Sequence, residues 1–385
     1  MSTEIGIGKK ARRAYGFDEV ALVPGMQTLD PDMPDTSFSI GKINLDFPII
    51  ASAMDSVMSP STAILMGKYG GMGVLNLQGV QTRYDDATSI LEEISSVSKE
   101  KYVELMQRLY QESIKPNLIS KRIQEIRSAN VVVAVSVTPQ VAEEIAPMAV
   151  EAGADIIFVQ STVTSTKHKS NSYKLDLKKF CKSTKVPVVI GNCVSYEVTL
   201  ELMKAGAAAV LVGIGPGAAC TSRGVLGVGT PMATAIADCA AAREFFKQSS
   251  GKYVPIIGDG GMVVGGDICK AIACGADAVM IGSPLARAAE APGNGYHWGM
   301  ATPNALLPRG ARIKVGTIGT LKEILHGPAK YDDGSENLVG ALKTSMSTLG
   351  AENIAQMQQV EVVIAPSILT EGKVFQKAQA LGMYK

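Results

Sequence analysis

The sequence predicts an α/β fold in which eight parallel strands close into a (β/α)₈ barrel surrounded by helices. Three observations support this prediction. Eight short apolar runs recur along the chain, helical segments lie between most of them, and one helix-end pattern occurs three times. An open parallel sheet with helices on both faces is the alternative that the same observations allow.

The apolar runs are rich in valine and isoleucine and end at glycine, asparagine or serine. They are continuously apolar rather than alternating, which is typical of strands that are buried on both faces. The predicted strands span residues 48–54, 70–76, 131–137, 155–161, 187–193, 207–214, 254–259 and 277–283. Helices are predicted at residues 141–152, 195–205, 231–248 and 266–274.

The repeated pattern is a helix end followed by Gly-Ala and then a strand, and it occurs at residues 151–159, 204–212 and 273–281. Glycine readily takes the left-handed conformation that ends a helix. Because three units end alike among the predicted strands, a closed barrel is favoured over an open sheet.

At 385 residues the chain is longer than a bare barrel of about 250 residues, and we expect a single domain over residues 1–385. Two segments fall outside the barrel pattern. Residues 80–128 have the pattern of charged amphipathic helices inserted between strands two and three. Residues 289–335 are rich in glycine and proline and predict a long loop, or mobile flap, after strand eight.

Composition argues against several classes of function. The formal net charge is +1 and no basic stretch alternates with aromatic residues, so we expect no nucleic-acid partner. No apolar run reaches the ~18 residues of a membrane span, and residues 1–13 do not resemble a secretory signal. We therefore expect a cytoplasmic protein without a membrane partner, whose six cysteines are reduced thiols.

The loop after strand six carries the most distinctive sequence at the carboxyl ends of the strands, where barrel enzymes bind their substrates. Residues 213–224 are GIGPGAACTSRG. The glycines let the backbone approach a ligand or an ion, and a loop thiol near Arg223 can ionise to the nucleophilic thiolate. Cys220 is therefore a candidate nucleophile, and a small buried cysteine beside a glycine turn is the alternative.

The loops after strands seven and eight are candidates for phosphate binding, because barrels often bind phosphate there through backbone N–H groups. GDGGM at residues 258–262, together with Gly282 and Ser283, fits that role. Asp259 could accept hydrogen bonds from ribose hydroxyls, and a turn aspartate is the alternative. These residues predict a barrel that binds a sugar-phosphate ligand.

Several segments of the sequence resemble the signatures of the IMP dehydrogenase/GMP reductase family. They are FDEVALVP (17–24), SAMDS (52–56), GGMGVLN (70–76), GIGPGAACTSR (213–223), IGDGGM (257–262) and GGDICKAIACGADAVMIGS (265–283). The dehydrogenases usually carry a pair of CBS modules between strands two and three. Here residues 80–128 stand in that place, so the resemblance is to a short form.

The resemblance implies that a purine nucleotide is the substrate, that NAD and K+ are the cofactors, and that the protein is a homotetramer. Cys220 would attack C2 of IMP, a hydride would pass to NAD, and water would release XMP. The implied nucleotide contacts are Ser52, Met54, Asn192, Gly217, Asp259, Gly260, Gly261, Gly282, Ser283, His297, Gly299 and Met300. Ser161 and Thr162 would lie near NAD. The backbone carbonyls of Gly215, Gly217 and Cys220 would bind the monovalent cation.

The choice between dehydrogenase and reductase depends on a few segments. Residues 226–242 and 289–293 resemble the dehydrogenase versions, and the lysine that the reductase carries after strand two is Leu77 here. Glu197, in contrast, resembles the reductase pattern. A catalytically weak regulator that binds purine nucleotides is a third possibility, although such a protein does not need a reactive thiol.

The flap departs from the dehydrogenase pattern, in which an Arg-Tyr pair activates water. Residues 302–316 contain no tyrosine, aspartate, glutamate or histidine. We expect Arg309 to be the base, which requires a site that stabilises the neutral guanidine. Anchoring of the loop is the alternative role. Ser222, where the family has a threonine, is the remaining catalytic candidate.

Overall fold

The structure, a computed structural model, describes residues 2–171, 175–368 and 371–382. Its centre is a closed barrel of eight parallel strands, and β8 pairs with β1 to close it. The strands are β1 Ile49–Ala51, β2 Met72–Asn76, β3 Ala134–Val137, β4 Ile156–Gln160, β5 Val188–Cys193, β6 Ala209–Val212, β7 Ile256–Asp259 and β8 Ala278–Ile281. The prediction of a barrel is confirmed, and the open sheet is excluded.

Helices surround this barrel and fill the connections between its strands. They are α1 Pro60–Lys68, α2 Ala87–Ser96, α3 Tyr102–Leu109, α4 Pro116–Arg127, α5 Ala142–Ala152, α6 Leu177–Ser183, α7 Tyr196–Lys204, α8 Ser222–Leu226, α9 Met232–Ser250, α10 Gly265–Ala273, α11 Leu321–His326, α12 Leu338–Leu349, α13 Ile354–Met357 and α14 Val374–Ala378. Helix α4 packs against α1 and α5, as a barrel helix does. Only α2 and α3 are therefore additional to the barrel in this connection.

Burial explains why the strands are continuously apolar. One set of side chains, which includes Val74, Phe158 and Leu211, fills the interior of the barrel. The alternate residues pack between the strands and the helices. A hairpin of strands Phe38–Ile40 and Ile43–Leu45 belongs to the interior cluster and precedes β1, so it closes the amino-terminal end of the barrel. The carboxyl end stays open.

The repeated Gly-Ala pattern has the conformation that it predicts. Gly153, Gly206 and Gly275 follow helices α5, α7 and α10, and their φ angles are +105°, +102° and +114°. L-residues with a side chain rarely adopt such angles. Each glycine therefore ends a helix and turns the chain into the next strand.

The segment after β8 is more ordered than the prediction of a long loop at residues 289–335. Strands Tyr296–His297 and Ile313–Lys314 pair with each other, and α11 lies within the same range. Trp298 is fully buried against α2 and α3, among Leu91, Ile94 and Met106.

Within the described ranges, no helix is long and apolar enough to cross a membrane. Strands Ser2–Gly6 with Lys9–Arg12, and Val20–Val23 with Glu361–Ile364, form two further pairs.

Candidate active site

A cavity of about 610 Å³ opens at the carboxyl ends of the barrel strands. Its volume is typical of a site for a small ligand or cofactor, for which the usual range is about 300–1,000 Å³. Residues at or just after the carboxyl ends of all eight strands line the wall, and further residues come from the connection after β2 and from the segment after β8.

All but one of the site residues predicted from the sequence line this cavity. They are Ser52, Met54, Ser161, Thr162, Asn192, Gly215, Gly217, Cys220, Asp259, Gly260, Gly261, Gly282, Ser283, His297, Gly299, Met300 and Arg309. The exception is Ser222, which is 1% exposed and lies behind the thiol, with 3.3 Å between its Oγ and the Sγ of Cys220. The fold thus brings the residues together, and their individual roles stay predictions.

Of the six cysteines, all of which the structure describes, only Cys220 lines the cavity. Its N–H donates to the carbonyl of Gly217 at 3.0 Å, which closes a turn in the loop after β6. The guanidinium of Arg223 donates to the carbonyls of Ile214 (3.3 Å) and Thr230 (2.8 Å). Arg223 therefore fixes both ends of the loop that presents the thiol.

The glycines of this loop allow a close approach between two parts of the backbone. Gly213 has a φ of +149°, and a Cβ at that position would lie 2.3 Å from the carbonyl oxygen of Asp259. A Cβ at Gly261 would lie 2.9 Å from the Cβ of Pro216. The loops after β6 and β7 are consequently packed together, which brings the thiol loop and the candidate phosphate loop to one wall.

Asp259 is the acidic residue of the cavity wall. Its Oδ2 accepts hydrogen bonds from the side-chain amides of Asn192 (2.7 Å) and Gln160 (2.9 Å). Removal from bulk water raises the pKa of the Asp259 carboxyl to about 6, although the two amide donors oppose the shift. Because both donors meet the same oxygen, Oδ1 is left to accept hydrogen bonds from a ligand.

The prediction assigns phosphate binding to the backbone N–H groups of the glycines after β7, and one of these groups is already engaged. The N–H of Gly260 donates to the carbonyl of Met280 at 3.0 Å, so it is engaged within the barrel. Gly260 and Gly261 have φ angles of +82° and +79°. They therefore offer a ligand a surface without side chains, and Gly260 does so without its N–H group.

His297 is buried beside the loop after β8, with 2% of its surface exposed. Burial lowers the pKa of its imidazole to about 4, so the ring is neutral at physiological pH. Nδ1 lies 3.0 Å from the Oγ of Ser56. A Cβ at Gly282 would lie 3.1 Å from Cε1 of the ring, so the neutral imidazole packs directly on the loop after β8.

Residues of the flap line the cavity, and the flap is fixed at its base. Arg309 reaches the loop after β4, where its Nη1 lies 3.5 Å from the Oγ1 of Thr162. The guanidinium of Arg312 donates to the carbonyls of Ile94, Ser95 (3.1 Å) and Val97 (2.6 Å) at the end of α2. It also lies over the rings of Tyr102 and Tyr296, at 5.1 and 4.8 Å from the centroids. Arg312 thus anchors the base of the flap to the end of α2.

Sequence reasoning missed several residues of the wall. Asn76 and Gln160 end strands β2 and β4, and the rule that identified Asn192 and Asp259 at other strand ends would have found them. Arg83 and Tyr110 belong to the connection that carries α2 and α3. No local pattern marks them, because only tertiary packing brings that connection to the cavity.

The comparisons with known proteins agree on one family. A family model described as the IMP dehydrogenase/GMP reductase domain matches residues 14–374. An uncharacterized oxidoreductase of Mycolicibacterium smegmatis is 39% identical, over 94% of this chain and 99% of its own. The inosine-5'-monophosphate dehydrogenase of Cryptosporidium parvum is 32% identical, over 91% of each chain.

A solved structure gives the same result. The IMP dehydrogenase/GMP reductase-like protein of Corynebacterium glutamicum is 37% identical to this chain, and the TM-score between the two structures is 0.90. The match covers 94% of this chain and 97% of the other. The family model and the relatives thus extend over nearly the whole barrel and its cavity. The chain therefore belongs to the IMP dehydrogenase/GMP reductase family of oxidoreductases.

Proposed function

We propose that this protein is an IMP dehydrogenase, which oxidises IMP to XMP with NAD in guanine nucleotide biosynthesis. The observation that carries the choice over the reductase is the position of Leu77. This residue stands where the reductase has a lysine, and its side chain is fully buried in the apolar layer outside the barrel. Among the described residues that line the cavity, none is a lysine.

The thiolate of Cys220 would form a bond to C2 of the hypoxanthine ring. The hydrogen on C2 would then leave as a hydride, and C2 would remain bound to sulfur as a thioimidate. Attack by water at C2 breaks the C–S bond, which releases XMP and returns the thiol. Dividing the reaction into two steps is the benefit of a covalent nucleophile.

The nucleotide would be held by the wall that carries the thiol. Asp259 would accept hydrogen bonds from the ribose hydroxyls through Oδ1, while Asn192 and Gln160 hold its other oxygen. The phosphate would lie at the loops after β7 and β8, among Gly261, Gly282 and Ser283. Met54 and Met300 would contact the base. This assignment uses one wall of the cavity.

The rest of the cavity fits a second ligand with many hydroxyl groups. Neutral polar side chains line the mouth after β2, β3 and β4: Asn76, Gln78, Ser136, Thr138, Gln140, Gln160, Ser161 and Thr162. NAD, when bound, would accept the hydride from C2. Ser161 and Thr162 would bind it near the reacting carbon.

The loop after β6 also suits a monovalent cation, since backbone carbonyl oxygens can replace the hydration shell of K+. Gly215, Gly217 and Cys220 would supply those oxygens. Gly215 has a φ of +71°, and a Cβ there would lie 2.8 Å from Cγ of Arg223, so the bend needs glycine. The cation would stabilise the loop that presents the thiol.

Arg309 is proposed as the base for the hydrolytic step, because it is the ionisable side chain of the flap that lines the cavity. We expect Arg309→Ala to leave the first turnover of NADH formation unchanged and to slow steady-state turnover by about 10²-fold or more. Rapid-mixing absorbance at 340 nm separates the two phases. Lys314→Ala is the control, because Lys314 is exposed at the base of the flap and does not line the cavity. Loss of the first turnover in Arg309→Ala would instead assign the residue to dinucleotide binding or loop anchoring.

Neither alternative function has comparable support. Glu197, which resembles the reductase pattern, is exposed on α7 and does not line the cavity. A regulator without catalysis would not need the thiol at the cavity.

We also propose a homotetramer and a cytoplasmic location. Side chains such as Ile7, Met26 and Phe375 expose apolar surface that contacts between subunits would cover.

The decisive experiment supplies purified protein and potassium ions with IMP and NAD, and in parallel with GMP and NADPH. We expect absorbance at 340 nm to rise with IMP and NAD and to stay constant with GMP and NADPH. A fall in the second reaction would make the protein a reductase. Constant absorbance in both, with tight binding of IMP by calorimetry, would favour the regulator.

A further inference from the structure

The connection between β2 and α2 presents a guanidinium to the cavity. Arg83 lines the wall, and the other cation among the described lining residues is Arg309, which belongs to the flap. Nε of Arg83 donates to the carbonyl of Gln78 at 3.1 Å, and Nη1 donates to the carbonyl of Glu112. Within the described part of the chain, no carboxylate forms an ion pair with Arg83 within 4.0 Å. Its charge therefore remains available to a ligand.

The backbone that carries Arg83 is fixed on both sides. We call residues 78–84 the Arg83 loop. Arg122, which is 8% exposed, donates from α4 to the carbonyls of Gln81 (3.0 Å) and Tyr84 (3.3 Å). Thr82 donates its hydroxyl to the carbonyl of Leu77 at 2.8 Å. A buried arginine is thus used to hold a loop whose own arginine faces the cavity.

The carboxyl group of Asp55 packs against the Arg83 loop and binds its backbone. Its Oδ2 accepts hydrogen bonds from the N–H of Val80 (2.9 Å) and from the hydroxyl of Tyr110. A Cβ at Gly79 would lie 1.9 Å from Oδ1, so the loop packs directly on the carboxyl group. The guanidinium of Arg83 lies over the ring of Tyr110, at 5.7 Å from the centroid. The side chain is therefore held in place before any ligand arrives.

The position of Arg83 around the barrel indicates which ligand it meets. The proposed monophosphate site follows β7 and β8, whereas the Arg83 loop follows β2, and β1 lies between them. The neighbouring wall consists of amides and hydroxyls from the ends of β2, β3 and β4, which suit a ligand of neutral sugars joined by an anion. A dinucleotide has that composition, and arginine matches phosphate oxygens in pairs.

We propose that Arg83 binds the diphosphate group of the dinucleotide, and that the Arg83 loop is a subsite built for it. This inference rests on the proposed use of NAD. The subsite lies on the connection after β2, where other dehydrogenases carry CBS modules. Residues 78–112 would therefore contribute to the affinity for the dinucleotide. Nη2 and the second N–H of Nη1 would be the donors to the phosphate oxygens.

The test compares Arg83→Gln, Arg83→Lys and the wild type. A charge-assisted hydrogen bond contributes about 1.5–3 kcal/mol, so we expect KM for NAD to rise roughly 10- to 100-fold in Arg83→Gln. KM for IMP should change less than about twofold. Arg83→Lys should recover part of the affinity, because it keeps the charge and loses the paired geometry. Arg108→Gln, an exposed arginine on α3 paired with Glu93, is the matched control.

Calorimetry gives a readout that is independent of turnover. NAD and NADP are titrated into Cys220→Ala protein saturated with IMP, and IMP is titrated into the same protein without ligand, each with and without Arg83→Gln. Weaker binding of both dinucleotides supports the proposal. A loss for NADP alone would assign Arg83 to a 2′-phosphate, and a loss for IMP alone would assign it to the monophosphate. Either result overturns the proposal, as does equal weakening of all ligands with a lower Tm.

The two proposals fail in different ways. If the wild type forms no NADH from IMP but its binding of NAD still depends on Arg83, the proposed function fails and the subsite stands. If NADH forms and Arg83→Gln binds NAD as the wild type does, the subsite fails and the function stands.

Discussion

Replacement of Cys220 by alanine is expected to lower NADH formation from IMP by about 10⁴-fold or more, since Cys220 is the only thiol among the described residues that line the cavity. The variant should still bind IMP, because the contacts proposed above for the ribose and the phosphate do not involve the thiol. NADH formation is followed at 340 nm, and IMP affinity by calorimetry. Intact mass spectrometry of the acid-quenched wild type should detect the nucleotide adduct, which Cys220→Ala should lack.

Cys181→Ala is the control for this substitution. Cys181 is also partly exposed, but it lies on α6 outside the cavity, and burial raises the pKa of its thiol to about 11. The control should keep wild-type activity and form the adduct. An active Cys220→Ala protein, or an adduct on any other cysteine, would remove the mechanism proposed above.

Asp259→Asn is expected to weaken IMP binding and lower kcat/KM by about 100-fold, as the loss of a charged acceptor costs about 3 kcal/mol. Its amide must direct its oxygen to the donors of Asn192 and Gln160, which turns its NH₂ group toward the ribose. A donor cannot replace the acceptor that the ribose hydroxyls need. Steady-state kinetics with varied IMP measure the effect.

The Tm of Asp259→Asn distinguishes a loss of IMP binding from misfolding, because the pKa of Asp259 is raised in the folded protein. The variant removes a buried charge, so its Tm at pH 7 should equal or exceed that of the wild type. An inactive variant with a lower Tm would contradict the assignment, because the residue would then be structural. An active variant with wild-type KM for IMP would contradict it as well.

The same pKa gives the direction of two pH effects. Binding needs the carboxylate, so wild-type kcat/KM for IMP should fall as the pH drops below about 6. Stability changes in the opposite sense. The folded-state pKa of about 6 lies above the reference value of 3.8, so the contribution of Asp259 to the free energy of unfolding grows from pH 6 to pH 4 and is lost above pH 6. Burial also raises the pKa of Asp55 to about 6, so the difference between the wild type and Asp259→Asn is needed to isolate the contribution of Asp259.

The barrel was predictable because its strands are buried on both faces and its helices end alike. Residues such as Val74 and Leu75 point to opposite sides and are both fully buried, so the whole strand is apolar. Gly153, Gly206 and Gly275 mark the helix ends with a conformation that glycine favours. These signals are local, and a single sequence contains them.

The site was predictable in so far as it lies at strand ends. Asn192 and Asp259 lie at the ends of strands, Cys220 lies in the loop after one, and the barrel brings them to one cavity. Arg83 and Tyr110 were missed because they reach the cavity through packing of the added helices, which leaves no pattern in the sequence. The sequence shows that α4 is amphipathic. It contains no signal that α4 packs between α1 and α5 as one of the helices of the barrel.

Because Arg312 anchors the base of the flap, only part of the flap can lose conformational entropy when a ligand binds. Strands Tyr296–His297 and Ile313–Lys314 pair at the base, and Arg312 is fixed to the end of α2. The part of the flap without these contacts is therefore the loop at residues 299–311, which follows the buried Trp298. A loop tethered at both ends has few conformations when open. Closing it over a ligand consequently costs little entropy, so more of the contact energy remains as affinity.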